Sequence, residues 1–206
     1  MLVQTDISYR LVLASASPAR RALLKAAGID ADVLVSGVDE SIVEAEDAYT
    51  LSLALARMKA RTVAARMQSD PGVLVLGCDS VLAFDGEILG KPADADEAVK
   101  RWQAMRGRSG VLHTGHHLTD LVSGRQAEDV GTTVVHFADV TDEEIDAYVA
   151  TEEPLHVAGA FTIDGLGGAF VERIDGDPGN VVGLSLPLLR RLLLELDVSI
   201  IELWRA

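Results

Sequence analysis

The chain has 206 residues, of which 49% are hydrophobic and 24% charged, so it can bury a sizeable core without disulfides or structural metals. Its formal net charge of -14 excludes the basic face of a general nucleic-acid binder and favours a protein that handles small molecules. The single cysteine, Cys78, excludes an intrachain disulfide and fits a reducing cytoplasm. The apolar stretches are too short or too interrupted by charge for a signal peptide or a membrane span. We therefore expect a cytoplasmic protein with neither a membrane nor a nucleic-acid partner.

Hydrophobic periodicity and turn residues predict strands alternating with helices along the chain. In chain order these are a strand at 11–14, a helix at 18–27, a strand at 31–38, a helix at 51–67, a strand at 73–76, a hairpin at 81–84 and 87–89, a helix at 94–105, paired strands at 111–117 and 130–137, a helix at 141–150, a strand at 169–174 and a helix at 186–196. Interrupted alternation of this kind predicts an α/β fold with a mixed sheet and flanking helices. Since no linker or repeat divides the chain, we expect a single domain over residues 1–206.

Local signals define several of these elements. Ser17 suits a helix N-cap and Pro18 the first helical position, where its missing N–H costs nothing. The Asp-Gly pair at 85–86 suits a type I′ hairpin turn. Capping-box patterns open the helices at 94 and 141. In the helix at 51–67, an apolar stripe is predicted from four residues, Leu51, Leu55, Met58 and Thr62.

The turn between the first strand and the first helix has the character of a phosphate site. Free backbone N–H groups and the positive end of the helix dipole lie beside Ser15, Ser17 and Arg20. The plainer interpretation is that Arg20 and Arg21 are surface charges on an amphipathic helix.

Three further positions combine charge with a strand or turn. Asp79 follows the apolar run 73–76, and a carboxylate at such a strand end can bind a metal or act as a general base. Lys91 lies on a stiff turn after the hairpin, and Lys59 lies late on its helix. Each has a structural alternative: Asp79 as a turn cap, and each lysine as a solvated side chain. Cys78 is interpreted as a packed small residue, because its apolar and acidic neighbours disfavour a thiolate.

The histidines at 113, 116 and 117 do not favour a metal site. On a strand, His113 and His117 share a face that His116 does not. Metal ligation by this group is therefore the less favoured interpretation.

Taken in order, the segments of this chain resemble the Maf family of nucleoside triphosphate pyrophosphatases. The resemblance covers nearly the whole chain and is carried by residues 13–20 (LASASPAR), 38–40 (VDE), 55–60 (LARMKA), 77–80 (GCDS), 86–92 (GEILGKP), 153–161 (EPLHVAGAF) and 174–184 (IDGDPGNVVGL).

The resemblance implies two lobes around a central cleft, an architecture shared with inosine triphosphatases, and in many members a homodimer. It also implies hydrolysis of a nucleoside triphosphate to the monophosphate and pyrophosphate with a divalent metal, Mg²⁺ or Mn²⁺. Asp79 matches the catalytic aspartate that accepts a proton from water, and Glu40 matches an acidic position that, with Asp79, holds the metal. The remaining matches, Ser15, Ser17, Arg20, Lys59 and Lys91, are polar and cationic positions around the phosphates.

The base of the substrate stays open. Ala19 stands where the subgroup acting on dTTP and UTP has arginine and where the subgroup acting on 7-methyl-GTP has a large aromatic. Val157 and Asp164 depart from the first subgroup, whereas 154–156 and 177–180 are similar to the second. The implied role is removal of modified or non-standard nucleotides. Two alternatives are a non-catalytic nucleotide-binding regulator of septum formation and an enzyme of the inosine-triphosphatase type.

Overall fold

The computed structural model describes residues 9–67 and 72–205. Its strands are β1 (Arg10–Leu13), β2 (Asp32–Val33), β3 (Val73–Phe84), β4 (Glu87–Leu89), β5 (Ser109–Asp120), β6 (Gln126–Phe137) and β7 (Val171–Asp175). Its helices are α1 (Pro18–Ala26), α2 (Ala48–Arg66), α3 (Ala95–Met105), α4 (Asp142–Val149), α5 (Pro178–Val182) and α6 (Leu186–Glu195). The predicted domain, 1–206, also includes residues 1–8, 68–71 and 206, which lie outside the described residues.

The described strands form one mixed sheet in the order β2-β1-β3-β5-β6-β7, with β4 paired to the far end of β3. The β1 strand is parallel to β2 and β3, and the pairs from β3 through β7 are antiparallel. The predicted α/β fold with a mixed sheet and flanking helices is therefore confirmed.

Local signals that lie within a few residues were confirmed. Ser17 accepts a hydrogen bond from the Arg20 N–H and caps α1. The hairpin turn has positive φ at both Asp85 and Gly86, 53° and 83°, as a type I′ turn requires. Thr141 begins α4 with a complete capping box. At α3 the prediction holds in part, because Glu97 accepts from the N–H of Ala93 rather than from that of the cap residue.

Several strand predictions were wrong in length: those at 111–117, 130–137 and 169–174 are observed at 109–120, 126–137 and 171–175, and two others differ more. The strand predicted at 73–76 continues to residue 84, because β5 pairs with β3 along residues 74–83. Asp79 consequently lies in the middle of a strand and not at its end. The strand predicted at 31–38 pairs only at Asp32–Val33. Its partner β1 ends at Leu13, so no further residues of β1 are available for pairing.

Hydrophobic residues pack in separate clusters along β3. Leu74, Leu76 and Cys78 belong to a cluster with α1 and α6, whereas Leu82 and Phe84 belong to a cluster with α3 and α4. The arrangement of two lobes around a cleft stays a prediction. None of the helices within 9–67 and 72–205 has both the length and the apolar character that crossing a membrane requires.

Candidate functional site

The candidate site lies where one edge of β3 has no strand beside it among the residues that the structure describes. On that edge β1 pairs as far as Leu76, and β4 pairs back to Leu82. Because β1 is parallel and β4 antiparallel to β3, the carboxyl ends of both strands point toward the segment between these residues, 77–81. The loops that leave β1 and β4 carry Ser15 and Lys91, so strand register directs both toward the strand segment that holds Asp79.

Helix α2 lies directly on the sheet beside this segment. A Cβ atom on Gly77 would be 2.2 Å from the Ala56 carbonyl oxygen, and one on Gly115 would be 2.2 Å from the Ser52 carbonyl oxygen. Glycine at these two positions, on the neighbouring strands β3 and β5, therefore permits a helix-to-sheet approach that a side chain would prevent. The predicted apolar stripe was wrong apart from Leu55: the buried face consists mainly of small residues, namely Ala48, Ser52, Leu55, Ala56, Lys59, Ala60 and Val63.

Lys59 is the one charged member of that buried face, and it joins two carboxylates. Its Nζ contacts Asp79 Oδ1 and lies 2.7 Å from Glu40 Oε1. The side chains of Lys59 and Asp79 are 10% and 11% exposed, whereas that of Glu40 is 53% exposed. The interpretation of Lys59 as a solvated side chain is thus wrong, because α2 packs closely on the sheet and the Lys59 amine is buried against Asp79 of β3.

Burial raises the pKa of the Asp79 carboxyl, and the positive charges of Lys59 and Arg20 oppose that rise. Desolvation is the largest effect because it disfavours the ionised carboxylate, so the net shift of the Asp79 pKa is upward. A carboxyl group with a pKa above its ordinary range is a better proton acceptor than a solvated aspartate.

Arg20 is buried beside β3, and its guanidinium donates to four protein acceptors. Nη1 donates to Ser15 Oγ and to the Cys78 carbonyl, each at 2.9 Å. Nη2 donates to Ser80 Oγ at 3.0 Å, and Nε donates to the Gly183 carbonyl at 2.7 Å. The surface-charge interpretation of Arg20 is wrong, since the residue is 8% exposed. Its guanidinium is instead a fixed positive charge beside the candidate site.

The hydroxyl-rich turn borders an open depression of about 450 Å³, lined by Ser15, Ala16, Ser17, Pro18, Arg21, Ala22, Lys25 and Val33. Ser15 Oγ also accepts from the Ser17 N–H at 3.2 Å, which orders the turn. Exposed Arg21 and Lys25 add positive charge at this depression. An anion entering it from solvent would meet cations of α1 beside the Ser15 hydroxyl.

Lys91 is exposed on the turn after β4. The carbonyl of the preceding residue, Gly90, accepts from the Gly159 N–H at 3.1 Å and from Arg101 Nη1 at 2.6 Å, which fixes the start of this turn. The structure thus brings the predicted residues into two contact groups, one of Ser15, Ser17 and Arg20 and one of Lys59, Glu40 and Asp79. The two groups meet at residues 78–80 of β3, because Arg20 donates to the Cys78 carbonyl and to Ser80 Oγ. Lys91 lies in the loop that leaves β4 toward the segment 77–81 of β3, and no described contact joins it to Asp79.

The donor set fits a metal that arrives with a phosphate ligand. Among residues 9–67 and 72–205, no group of three or more His, Cys, Asp or Glu side chains is placed to enclose a metal. Asp79 and Glu40 nevertheless contact the same ammonium, so their oxygens are close enough to share a cation. Mg²⁺ commonly binds through one or two carboxylates and completes its shell with water and phosphate oxygens.

Cys78 and the histidines lie outside this chemistry. Burial raises the pKa of the Cys78 thiol to about 12, which confirms it as a packed, unreactive residue. His116 is buried, and its pKa is lowered by desolvation to about 4; its Nε2 accepts from the Ser185 N–H. His117 is buried against Glu128, and His113 contacts Thr132.

Three further residues near Arg20 were not predicted to be functional from the sequence. Ser80, Thr114 and Asn180 form a hydrogen-bonded path that ends at Arg20. Ser80 and Thr114 are directly paired across β3 and β5, a relation that depends on strand register and not on sequence spacing. No local pattern identifies them, because their partners lie on different elements of the fold.

Known proteins are similar to this chain over most of its length. A family model described as Maf-like protein matches residues 10–196. A protein of Salinispora tropica named nucleoside triphosphate pyrophosphatase is 67% identical over 97% of this chain and 89% of its own length. Proteins of the same name from Streptomyces coelicolor and Microcystis aeruginosa are 60% and 52% identical, over 95% and 96% of this chain and 94% and 100% of their own lengths. The chain therefore belongs to the Maf-like protein family.

Proposed function

We propose that the protein is a hydrolase that cleaves a nucleoside triphosphate to the nucleoside monophosphate and pyrophosphate. The observation that carries the proposal is the buried Asp79 carboxylate, which contacts Lys59, while Arg20 donates to the residues on either side of Asp79. The names of the relatives, at 52–67% identity, support the same reaction.

Asp79 is the proposed general base. It accepts a proton from a water molecule that attacks the α-phosphorus, and the bond from that phosphorus to the bridging oxygen of the β-phosphate breaks. Its raised pKa supports this role, because a stronger base takes the proton more readily in the transition state. Lys59 stabilises the carboxylate and charge that develops on the phosphates.

The remaining predicted residues bind the phosphate groups. Ser15 and Ser17 supply hydroxyl donors at the start of α1, and Lys91 supplies an ammonium from the loop after β4, at the other end of the segment 77–81. Arg20 contributes positive charge from a fixed position. Together they stabilise the pyrophosphate leaving group, whose negative charge increases as the bond breaks.

A divalent metal, Mg²⁺ or Mn²⁺, is part of the proposal, with Asp79 and Glu40 as its protein ligands. Such a metal would neutralise charge on the phosphate oxygens and lower the barrier to attack. Chelation with EDTA is expected to abolish turnover, and Mg²⁺ or Mn²⁺ is expected to restore it. Full activity in EDTA would exclude the metal from the reaction.

The decisive experiment measures pyrophosphate release by the wild type, by Asp79→Asn and by the control Asp30→Asn, which alters an exposed aspartate. Loss of the general base should reduce kcat by about 10² or more, and the control should match the wild type. Full turnover by Asp79→Asn would refute Asp79 as the base. Binding of nucleotide by the wild type without any pyrophosphate release would favour the regulator alternative.

A substrate panel of dTTP, UTP, CTP, 7-methyl-GTP and ITP identifies the base that is preferred. Preference for a methylated or otherwise non-standard base would support a role in removing such nucleotides before they enter nucleic acid. Preference for ITP would favour the inosine-triphosphatase alternative. The homodimer and the cytoplasmic location stay predictions from the sequence.

A further inference from the structure

A chain of hydrogen bonds leads from Arg20, beside the site, to Asn180 of α5. Arg20 Nη2 donates to Ser80 Oγ at 3.0 Å, and Ser80 Oγ lies 2.9 Å from Thr114 Oγ1. Thr114 Oγ1 donates to the Asn180 carbonyl at 2.9 Å. Thr114 and Asn180 are 0% exposed. We call these four residues the hydroxyl chain.

The two ends of the hydroxyl chain determine the direction of every hydrogen bond in it. The guanidinium of Arg20 can only donate, and the carbonyl of Asn180 can only accept. Thr114 has one hydroxyl proton, which it gives to Asn180, so the proton between Ser80 and Thr114 must come from Ser80. Ser80 therefore accepts from Arg20, donates to Thr114 and has no proton left for a substrate.

Both ends of the hydroxyl chain are anchored. The Asn180 side chain donates through Nδ2 to Thr133 Oγ1 at 3.1 Å and to the Leu112 carbonyl at 3.4 Å, which fixes it to the sheet. At the other end, Arg20 also donates to the Cys78 carbonyl at 2.9 Å. Cys78 and Ser80 are the residues on either side of Asp79, so the guanidinium bonds the backbone carbonyl before that aspartate and the side-chain hydroxyl after it.

We propose that Thr114 is a positioning residue for Asp79, acting through Ser80 and Arg20. The proposal rests on the proposed function, since it assigns Thr114 to the same reaction. Without the Thr114 hydroxyl, Ser80 loses its acceptor and is free to rotate, and Arg20 loses a fixed partner. The guanidinium and the Asp79 backbone then sample other positions, and small misplacement of a catalytic group slows a reaction strongly.

The test compares Thr114→Val with Thr114→Ser. Valine keeps the shape of threonine and removes the hydroxyl, whereas serine keeps the hydroxyl and can maintain the chain. We expect Thr114→Val to lower kcat by about tenfold or more, with KM within about twofold of the wild type, because Ser17 and Lys91, which are proposed to contact the phosphates, lie outside the hydroxyl chain. Thr114→Ser should retain kcat within about threefold of the wild type.

Thr119→Val is the matched control. Thr119 is a buried threonine on the same strand, 6% exposed, and its hydroxyl contacts only His117 among the described partners. This variant should keep the wild-type kcat. Wild-type kcat in Thr114→Val would overturn the proposal, and so would an equal loss in Thr114→Val and Thr114→Ser, because that result would assign the effect to packing.

If Thr114→Val fails to fold, Ser80→Ala interrupts the hydroxyl chain at its half-buried member. A kcat loss with little change in KM is again expected, and unchanged kcat overturns the proposal. Failure of the wild type to release pyrophosphate from any nucleotide in the panel would instead refute the proposed function. If the wild type turns over a nucleotide and Thr114→Val has the same kcat, only the role of Thr114 is refuted.

Discussion

Replacement of Gly77 by alanine tests whether close contact between α2 and the sheet creates the site. The new Cβ atom would be 2.2 Å from the Ala56 carbonyl oxygen and 2.8 Å from the Ala60 backbone nitrogen. Both neighbours are backbone atoms, so rotation of a side chain cannot relieve the clash. Ordinary contact begins at 3.4 Å, and α2 must therefore retreat by about 1.2 Å.

The retreat has a cost in stability. It loosens the cluster that α2 forms with β1 and β3, which includes Val12, Ala60 and Val63. Forcing extra volume into a packed core costs about 1–3 kcal/mol, and we expect the upper end because backbone must move. For a chain of this size, about 3 kcal/mol corresponds to a fall in Tm of roughly 6–12 °C, measurable by calorimetry or circular dichroism.

The retreat also affects catalysis, because Lys59 precedes Ala60 on the same helical turn. A displacement of about 1 Å at a catalytic group can reduce turnover by about 10². Gly90→Ala is the stability control, since nothing lies within 4 Å of its Cβ position and its backbone conformation is open to alanine. A Gly77→Ala variant with the Tm of Gly90→Ala and wild-type kcat would refute the packing argument.

Three further predictions address single residues. Cys78, buried and with its pKa raised to about 12, should not react with a thiol reagent at pH 8 in the folded protein and should react fully in denaturant; labelling of the native state would contradict its burial. Hydrogen bonding from Arg57 lowers the pKa of Glu128 from 4.5 to about 2. The ionised carboxylate therefore stabilises the fold fully when the pH is above 4.5, and this stabilisation is lost as the pH falls toward 2. Denaturant titrations should find Glu128→Gln less stable than the wild type by about 1–2 kcal/mol at pH 6, with a gap that shrinks below pH 4.5; a constant gap would refute the linkage. Lys91→Ala should raise KM by about tenfold without lowering Tm, because exposed Lys91 is proposed to contact phosphate; unchanged kinetics would remove it from the site.

The sequence by itself determined the features that depend on residues a few positions apart. Ser17 and Pro18 begin α1, Asp85 and Gly86 form the hairpin turn, and Thr141 begins α4, each as predicted. These signals succeed because a cap or a tight turn is made by backbone and side-chain groups of neighbouring residues, which tertiary contacts rarely override. The mixed α/β fold follows from their order.

Only the tertiary structure decided how the candidate residues relate to one another. The acceptors of the Arg20 guanidinium lie as far as 163 positions away, at Gly183, and no spacing rule connects them. Lys59 is buried because glycines on two strands, Gly77 and Gly115, allow α2 to pack closely on the sheet. Hydropathy alone does not predict this packing, since the buried face of α2 consists mainly of small residues. Local chemistry therefore selected the elements, whereas strand register and helix packing, which depend on residues distant in sequence, determined which charges meet.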